Sequence, residues 1–205
     1  MAVIASLGET ATRMRCLQGT ARAITRNGVA TTTVQDILEA AGLSRRTFYQ
    51  HFSGKDDALR ALFEILTDAM LDAVRAAATA RDPVERALQA ADTYLALWQA
   101  DPKVSLMLQS EAMRAGSPLA PVRRRMLDAF ADDGVRAYQQ ATGQDVDSLI
   151  FRSFSLALEG LLSHNENAAA VDYARVRAVF ASLVRRALAP GGEPLPAAPE
   201  KEPFE

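Results

Sequence analysis

Apolar residues recur along this chain every three or four positions, which is the spacing of one face of an α-helix, from about residue 10 to residue 188. No stretch alternates apolar and polar residues as a half-buried strand would, and no segment repeats. The pattern predicts an all-α chain of about nine helices. Their expected ranges are 10–26, 33–41, 45–52, 55–79, 83–100, 102–115, 118–142, 145–164 and 172–188.

Proline and glycine mark many of the expected helix ends. Three Asp-Pro or Ser-Pro pairs, at 82–83, 101–102 and 117–118, place proline in the first turn of a helix, where its missing N–H has no intrahelical acceptor to lose. Outside the helices, residues 1–9 are expected to form a loose arm. Residues 190–205 are rich in proline and acidic residues and are expected to form a disordered tail.

The stretch from Thr32 to residue 52 carries the signals of two short helices joined by a turn. Thr32 is a candidate N-cap with Gln35 three residues later, which is the spacing of a capping box. Gly42 follows where the chain must turn, and glycine adopts a positive φ at little cost. Ser44 is a candidate cap for the second helix. This order of cap, helix, glycine turn, cap and helix predicts a helix-turn-helix.

The second helix of this pair has two chemically different sides. Phe48 and Phe52 are four residues apart and share the side that must be buried. Arg46 and Gln50 point away from it, and these residue types pair with guanine and adenine edges. The flanks hold groups that often bind phosphate. A short solvated helix in an ordinary bundle is the alternative, but the full arrangement favours DNA. The flanking residues are Arg45, Thr47, Tyr49 and His51.

The run TTVQDILEAAGLSRRTFYQHFSGKDDAL, residues 32–59, resembles the DNA-binding region of TetR-family transcriptional regulators. The likeness covers about residues 10–66. It implies an N-terminal three-helix helix-turn-helix bundle, expected over residues 1–55, followed by a C-terminal helical domain for ligand binding and dimerisation, expected over residues 56–189.

The resemblance also implies which residues contact DNA. Lys55 matches a lysine that contacts phosphate in the family, although a lone lysine at a helix start would otherwise be expected in solvent. The full expected set is Thr33, Arg45, Arg46, Thr47, Tyr49, Gln50, His51 and Lys55.

The central helices carry large side chains suited to a pocket for a small apolar effector, which the resemblance implies. Met in particular adapts its shape to a ligand. The alternative, which the sequence leaves open, is that these side chains only fill the core. The expected ligand-binding residues are Tyr94, Trp98, Met107, Met126 and Phe130.

The helix expected over 145–164 is apolar nearly all round and needs cover on every side. The last helix, 172–188, has one apolar stripe and cannot cover both faces of its neighbour. We therefore expect an intermolecular face, and the resemblance implies that these two helices form a four-helix homodimer interface. The expected interface residues are Phe151, Phe154, Leu158, Leu161, Val176, Phe180 and Leu183.

Charge is distributed unevenly over the 205 residues. Residues 1–55 hold seven Lys/Arg against three Asp/Glu, although the whole chain has a net charge of −2. A basic N-terminal region on an acidic body is the pattern expected when one end contacts DNA. The single cysteine, Cys16, excludes an intramolecular disulfide. Without a recognisable signal peptide or an 18-residue apolar run, the chain is expected to be cytoplasmic and not to bind a membrane.

Catalytic motifs are not found in the sequence. There is no phosphate-binding loop, HExxH or GxSxG. His164 with Glu159 and Glu166 is too irregularly spaced for a metal site. We therefore expect no metal, no cofactor and no enzymatic activity.

These patterns favour a ligand-responsive transcriptional repressor that binds a roughly palindromic double-stranded DNA operator as a homodimer. Two alternatives stay open. One is a helical-bundle ligand carrier or enzyme whose N-terminal region only packs, and the other is an interaction protein whose helix-turn-helix binds another protein.

Overall fold

The computed structural model describes residues 2–164, 171–188 and 195–197. These residues form nine α-helices and no strand, which confirms the predicted all-α class. The helices are α1 Ala2–Asn27, α2 Val34–Ala41, α3 Arg45–Tyr49, α4 Lys55–Ala77, α5 Pro83–Ala100, α6 Pro102–Met113, α7 Ala120–Thr142, α8 Ser148–Ser163 and α9 Tyr173–Ala187.

The largest difference from the expected boundaries is at the start of α1. The helix begins at Ala2, so the loose arm expected over 1–9 is wrong from that residue onward. Residues 2–7 contain neither proline nor glycine, and nothing in this stretch stops the helix. The second helix of the predicted helix-turn-helix, α3, ends at Tyr49, whereas the sequence predicted an end at residue 52.

The chain forms two compact units that differ from the predicted division at residue 55. The first unit comprises Met1–Thr67 and Met107–Arg123, and the second comprises Asp68–Leu106 and Arg124–Glu205. The first turns of α4 belong to the first unit because their apolar side chains, such as Leu59, are buried there.

Close contact between α1 and α2 organises the first unit. A Cβ atom on Gly19 would lie 2.6 Å from the Cβ of Ala41 and 2.9 Å from the carbonyl oxygen of Ile37. The two backbones can therefore approach this closely only because residue 19 has no side chain. The largest fully buried side chains of this unit are Leu17, Ile24, Ile37, Phe48, Leu59, Leu119 and Val122.

The N-terminus of α2 is capped one residue later than predicted. The hydroxyl of Thr33 accepts from the N–H of Asp36 at 3.2 Å, and the Asp36 carboxylate accepts from the N–H of Thr33 at 2.8 Å, which forms a capping box. The predicted cap, Thr32, is instead buried, and its hydroxyl donates to the carbonyl of Gly28 at 2.6 Å. This hydroxyl therefore bonds to the turn before α2 and does not cap the helix. Gly42 has φ 63°, as predicted for the turn after α2.

The second unit packs α5, α8 and α9 around an apolar core. On α8 the inward residues are Phe151, Leu158 and Leu162. The ring of Phe151 lies against α7 at Gly134, where a Cβ atom would be 2.3 Å from the ring. Arg177 of α9 donates to both carboxylate oxygens of Asp92 on α5, at 2.6 and 2.9 Å.

A short C-terminal segment packs on the second unit. The N–H of Asp147, at the start of α8, donates to the carbonyl of Pro196 at 2.7 Å, and Leu195 packs against the core. The tail expected to be disordered, 190–205, otherwise lies outside the described residues. Within the described part of the chain, no helix has the combined length and hydropathy needed to cross a lipid bilayer.

Candidate nucleic-acid interface and effector cavity

The helix α3 is short, and one buried aromatic side chain within it and one just after its end hold it in place. Phe48 is 0 % and Phe52 3 % exposed, and their ring centroids are 5.7 Å apart. Ser44 caps the helix by accepting from the N–H of Thr47 at 3.1 Å. A helix of five residues is not stable alone, so this burial and the cap fix its orientation.

Three of the predicted DNA-binding residues form an open outer surface on this helix. Arg46, Tyr49 and Gln50 are exposed, and none has a side-chain hydrogen bond within the described residues. Arg45 is exposed as well, and its guanidinium has only a long contact, 3.4 Å, to the side-chain oxygen of Gln35. This surface therefore presents donors whose hydrogen-bonding capacity the protein itself does not use.

Three of the other predicted DNA-binding residues, Thr33, Thr47 and Lys55, form hydrogen bonds within the chain. The hydroxyls of Thr33 and Thr47 belong to the two helix caps. The ammonium group of Lys55 donates to the carbonyl of Val29 at 3.2 Å, and His51 is half-buried. Any contact that Thr33, Thr47 or Lys55 makes with DNA would share atoms with the contacts that hold the helix-turn-helix together.

Two arginines of α1 bind the C-terminal end of α2, which sequence reasoning missed. Arg22 donates to the carbonyl of Ala40 at 2.6 Å, and Arg15 donates to the carbonyl of Ala41 at 3.3 Å. Cationic groups are favourable at this end of a helix, where the last carbonyls lack intrahelical partners. Their partners lie 18 and 26 residues away, so these contacts leave no local pattern in the sequence.

The caps of this unit also change the acidity of two carboxyl groups. The hydroxyl and N–H of Thr33 lower the pKa of Asp36 by donating to its carboxylate. The N–H of Ser53 likewise lowers the pKa of Asp57. Both effects arise because the donors stabilise the charged form.

The second unit contains an apolar cavity of about 160 Å³. Of the predicted ligand-binding residues, Tyr94, Met126 and Phe130 line it. Trp98 and Met107 do not: Trp98 is buried in the core beside Tyr94, and Met107 belongs to the first unit. Part of the predicted set is thus brought together, while Trp98 only fills the core.

The predicted dimer-interface residues mostly face the interior of their own chain. Phe151, Phe154, Leu158 and Phe180 line the same cavity, and Val176 is 8 % exposed. The faces of α8 and α9 that carry these five residues are turned inward in this chain, so their role in an interface between two copies stays a prediction. The remaining two predicted interface residues are more accessible to solvent: Leu161 is half-buried and Leu183 is exposed.

The helices α8 and α9 each carry exposed large apolar side chains. We call this set, Leu149, Leu156, Val179 and Leu183, the outer apolar stripe; its members are 61, 44, 40 and 45 % exposed. Spacings of seven residues on α8 and four on α9 are those of one helix face. These positions are the ones that another molecule could cover.

A metal site does not form among the residues described. They contain no group of three or more His, Cys, Asp and Glu side chains suited to hold an ion. Glu159 is buried in the cavity wall, His164 is exposed at the end of α8, and Glu166 lies outside the described residues.

The N-terminal region is similar in sequence to known proteins. Residues 17–62 match the model of the family described as bacterial regulatory proteins, tetR family. The transcriptional regulator TtgR from Pseudomonas putida is 40 % identical over 55 residues, which are 27 % of this chain and 26 % of that protein. A probable regulator from the same species, ArpR, matches to the same extent. The chain thus aligns with about a quarter of the length of these relatives.

Solved structures resemble nearly the whole chain. The fatty acid degradation regulator FadR from Bacillus halodurans has a TM-score of 0.72 at 18 % identity, covering 87 % of this chain and 96 % of that one. FadR from Bacillus subtilis in complex with stearoyl-CoA has a TM-score of 0.71 at 16 % identity, covering 83 % and 96 %. A SmeT–triclosan complex has a TM-score of 0.70 at 19 % identity, covering 95 % and 100 %. At these identities the likeness establishes the fold.

Proposed function

We propose that this chain is a transcriptional repressor of the TetR family of bacterial regulatory proteins, that it responds to a ligand, and that it binds a roughly palindromic operator as a homodimer. The family membership rests on the match over residues 17–62 and on the likeness of the whole fold to regulators of this class.

The outer surface of α3 is the observation that carries the proposal. Arg46 and Gln50 lie opposite the buried Phe48 and Phe52, and their donors have no partner among the described side chains. Arginine pairs with guanine and glutamine with adenine in the major groove. Tyr49 and Arg45, at the flanks, are suited to phosphate oxygens, which position the helix without specifying sequence.

Dimerisation is proposed from the outer apolar stripe. Four large apolar side chains on adjacent helices favour burial against another surface. A second copy of the chain satisfies this with the same stripe, as a two-fold interface requires. Two α3 helices would then read half-sites about 34–36 Å apart, or a multiple of that distance, so the operator would be roughly palindromic.

The cavity is the proposed effector site. Its aromatic wall, with Tyr94, Phe130 and Phe154, suits a small, largely apolar molecule. Related folds bound to stearoyl-CoA and to triclosan support a ligand-binding role for this chain. Repression would come from occupying a promoter. An effector that binds one dimer geometry more tightly would shift the population away from the geometry that fits the operator.

A DNA-binding measurement tests this proposal directly. Fluorescence anisotropy of the full chain with the DNA upstream of its own coding sequence should show a complex that prefers this DNA over a scrambled duplex. Its affinity should fall steeply with salt, because phosphate contacts release counterions. A complex without sequence preference, or none at low salt, would contradict the proposal.

The cavity alone would also fit a ligand carrier or a helical-bundle enzyme, and the helix-turn-helix would also fit a protein-binding module. These alternatives predict ligand binding, turnover or protein binding without sequence-preferring DNA affinity. The same titration therefore separates them from a repressor.

A further inference from the structure

The side chains that line the cavity are mostly apolar, but four of them are ionisable. These are Arg75, Arg86, Asp133 and Glu159. Two of them satisfy each other, since the guanidinium of Arg75 donates to the Asp133 carboxylate at 2.8 Å. Asp133 also pairs with Arg136. Glu159 is buried and interacts with another group of the chain.

Arg86 is different from the other three. It lies in the first turns of α5 and is half-buried. Within the described part of the chain, its guanidinium has neither an ion pair nor a side-chain hydrogen bond. An arginine that lines a cavity without a partner among the described residues keeps its five N–H donors available to a ligand.

A charged group in this position favours a ligand of opposite charge. The surrounding wall is apolar, with Ala87 and Ala90 beside Arg86 on α5 and aromatic rings on the other helices. Water is the competing partner for the guanidinium, and it becomes less available as an apolar ligand fills the space. The attraction between unlike charges is also stronger in such surroundings than in bulk water.

We propose that the cavity binds a small amphipathic anion, an apolar chain or ring with a carboxylate-type head group, and that Arg86 pairs with this head group. The inference rests on the proposed function, because it takes the cavity as the effector site. It narrows the effector from an apolar molecule to one with an anionic end. Arginine and carboxylate form paired hydrogen bonds in the geometry that both groups prefer.

The volume of the cavity suits a short ligand. A volume of about 160 Å³ is close to that of an engineered apolar cavity of ~150 Å³ that holds a benzene molecule. Suitable probes are therefore short. Octanoate, 1-octanol and octylammonium have the same apolar chain and differ only in the charge of the head group.

Titration calorimetry of the full chain with these three probes tests the proposal. Octanoate is expected to bind about tenfold or more tightly than 1-octanol, which is the gain typical of a hydrogen bond to a charged group. Arg86→Gln should remove this advantage while leaving the affinity for 1-octanol unchanged. The matched control is Arg81→Gln, because Arg81 is exposed and does not line the cavity; this variant should bind all three probes as the parent chain does.

Several results would overturn the proposal. These are equal binding of octanoate and 1-octanol, tightest binding of octylammonium, no binding of any probe, or an Arg86→Gln variant that loses affinity for octanoate and 1-octanol alike. A separate measurement, the effect of octanoate on the DNA complex, shows whether the proposed function fails. If octanoate binds through Arg86 but leaves the DNA complex unchanged, the anion site stands and the ligand response does not.

Discussion

Backbone packing in the first unit and side-chain packing in the second unit differ in how much space they leave. In the first unit, α1 and α2 approach so closely that residue 19 has no room for a Cβ atom. In the second unit, α4, α5, α7, α8 and α9 contribute side chains to a cavity of about 160 Å³. Protein interiors are normally close-packed, so an unfilled cavity costs stability. The comparison shows one unit in which two helix backbones are in close contact and one in which five helices leave a cavity between their side chains.

The largest expected effect comes from two leucines of α8 that are two residues apart. Leu158 is 6 % exposed and lines the cavity, whereas Leu156 is 44 % exposed. Leu158→Asp should lower the free energy of unfolding by about 3–5 kcal/mol, because it buries an unpaired charge. Urea denaturation followed by circular dichroism measures this loss. A change within the experimental error would refute the inward orientation of Leu158.

Leu156→Asp is the matched variant for the outer apolar stripe. It should keep the helical content of the parent chain, and it should sediment as a monomer at concentrations where the parent chain is expected to form the proposed dimer. A dimeric variant would place the interface elsewhere on the chain.

The next effect concerns the close packing of the first unit. Gly19→Ala should destabilise this unit by about 1–3 kcal/mol, since the new Cβ would meet backbone atoms of α2 that cannot rotate away. Faster amide hydrogen exchange in α1 and α2 would locate the loss. Gly54→Ala is the control, because a Cβ there meets nothing within 4 Å. Equal stability of the two variants would show that α1 and α2 are able to separate at little cost.

The helix-turn-helix was predictable because its signals are local. The cap at Ser44, the turn at Gly42 and the buried pair Phe48 and Phe52 all lie within a few residues of their partners, and the structure confirms each of them. The cap of α2 was misplaced by one residue because consecutive threonines offer the same hydroxyl. Only the contacts of Thr32 with the preceding turn distinguish the two.

A smaller effect is expected on DNA recognition. Arg46→Ala should reduce the discrimination between operator and scrambled DNA by about 1–3 kcal/mol, because a bidentate base contact would be lost. Competition anisotropy measures the change, with Arg60→Ala as the control, since Arg60 lies on α4 and pairs with Asp57. Unchanged discrimination by Arg46→Ala would argue against a base contact at this position.

The smallest effect is the dependence of the first unit on acid. The pKa of Asp36 and of Asp57 is lowered in the folded chain from an ordinary value of 3.8. Their contribution to stability is therefore present above that value and is lost as the pH falls below it. Thermal unfolding between neutral and acidic pH should show this loss.

The double variant Asp36→Asn, Asp57→Asn keeps an acceptor oxygen at each cap but cannot titrate. Its melting temperature should fall less on acidification than that of the parent chain. The same fall in both proteins would assign the acid sensitivity to other groups.

The second unit was less predictable because one of its helices, α8, is apolar on more than one side. Periodicity identifies α8 as a helix that needs cover, but Leu156 and Leu158 are equally apolar in the sequence. Which face is covered by α9 and which stays exposed depends on tertiary packing, for instance on the absence of a side chain at Gly134, which admits the ring of Phe151. The cavity arises from the same packing and leaves no trace in the spacing of residues.

The buried and the exposed side chains at α3 have different roles, and this separation has an evolutionary consequence. The side chains that hold this helix, Phe48 and Phe52, point inward, and Arg46, Tyr49 and Gln50 on its outside make no hydrogen bond to the rest of the described protein. Exposed substitutions of this kind typically change stability by no more than about 0.5 kcal/mol. After a gene duplication, one copy could therefore acquire a different operator through these positions while its scaffold stays intact.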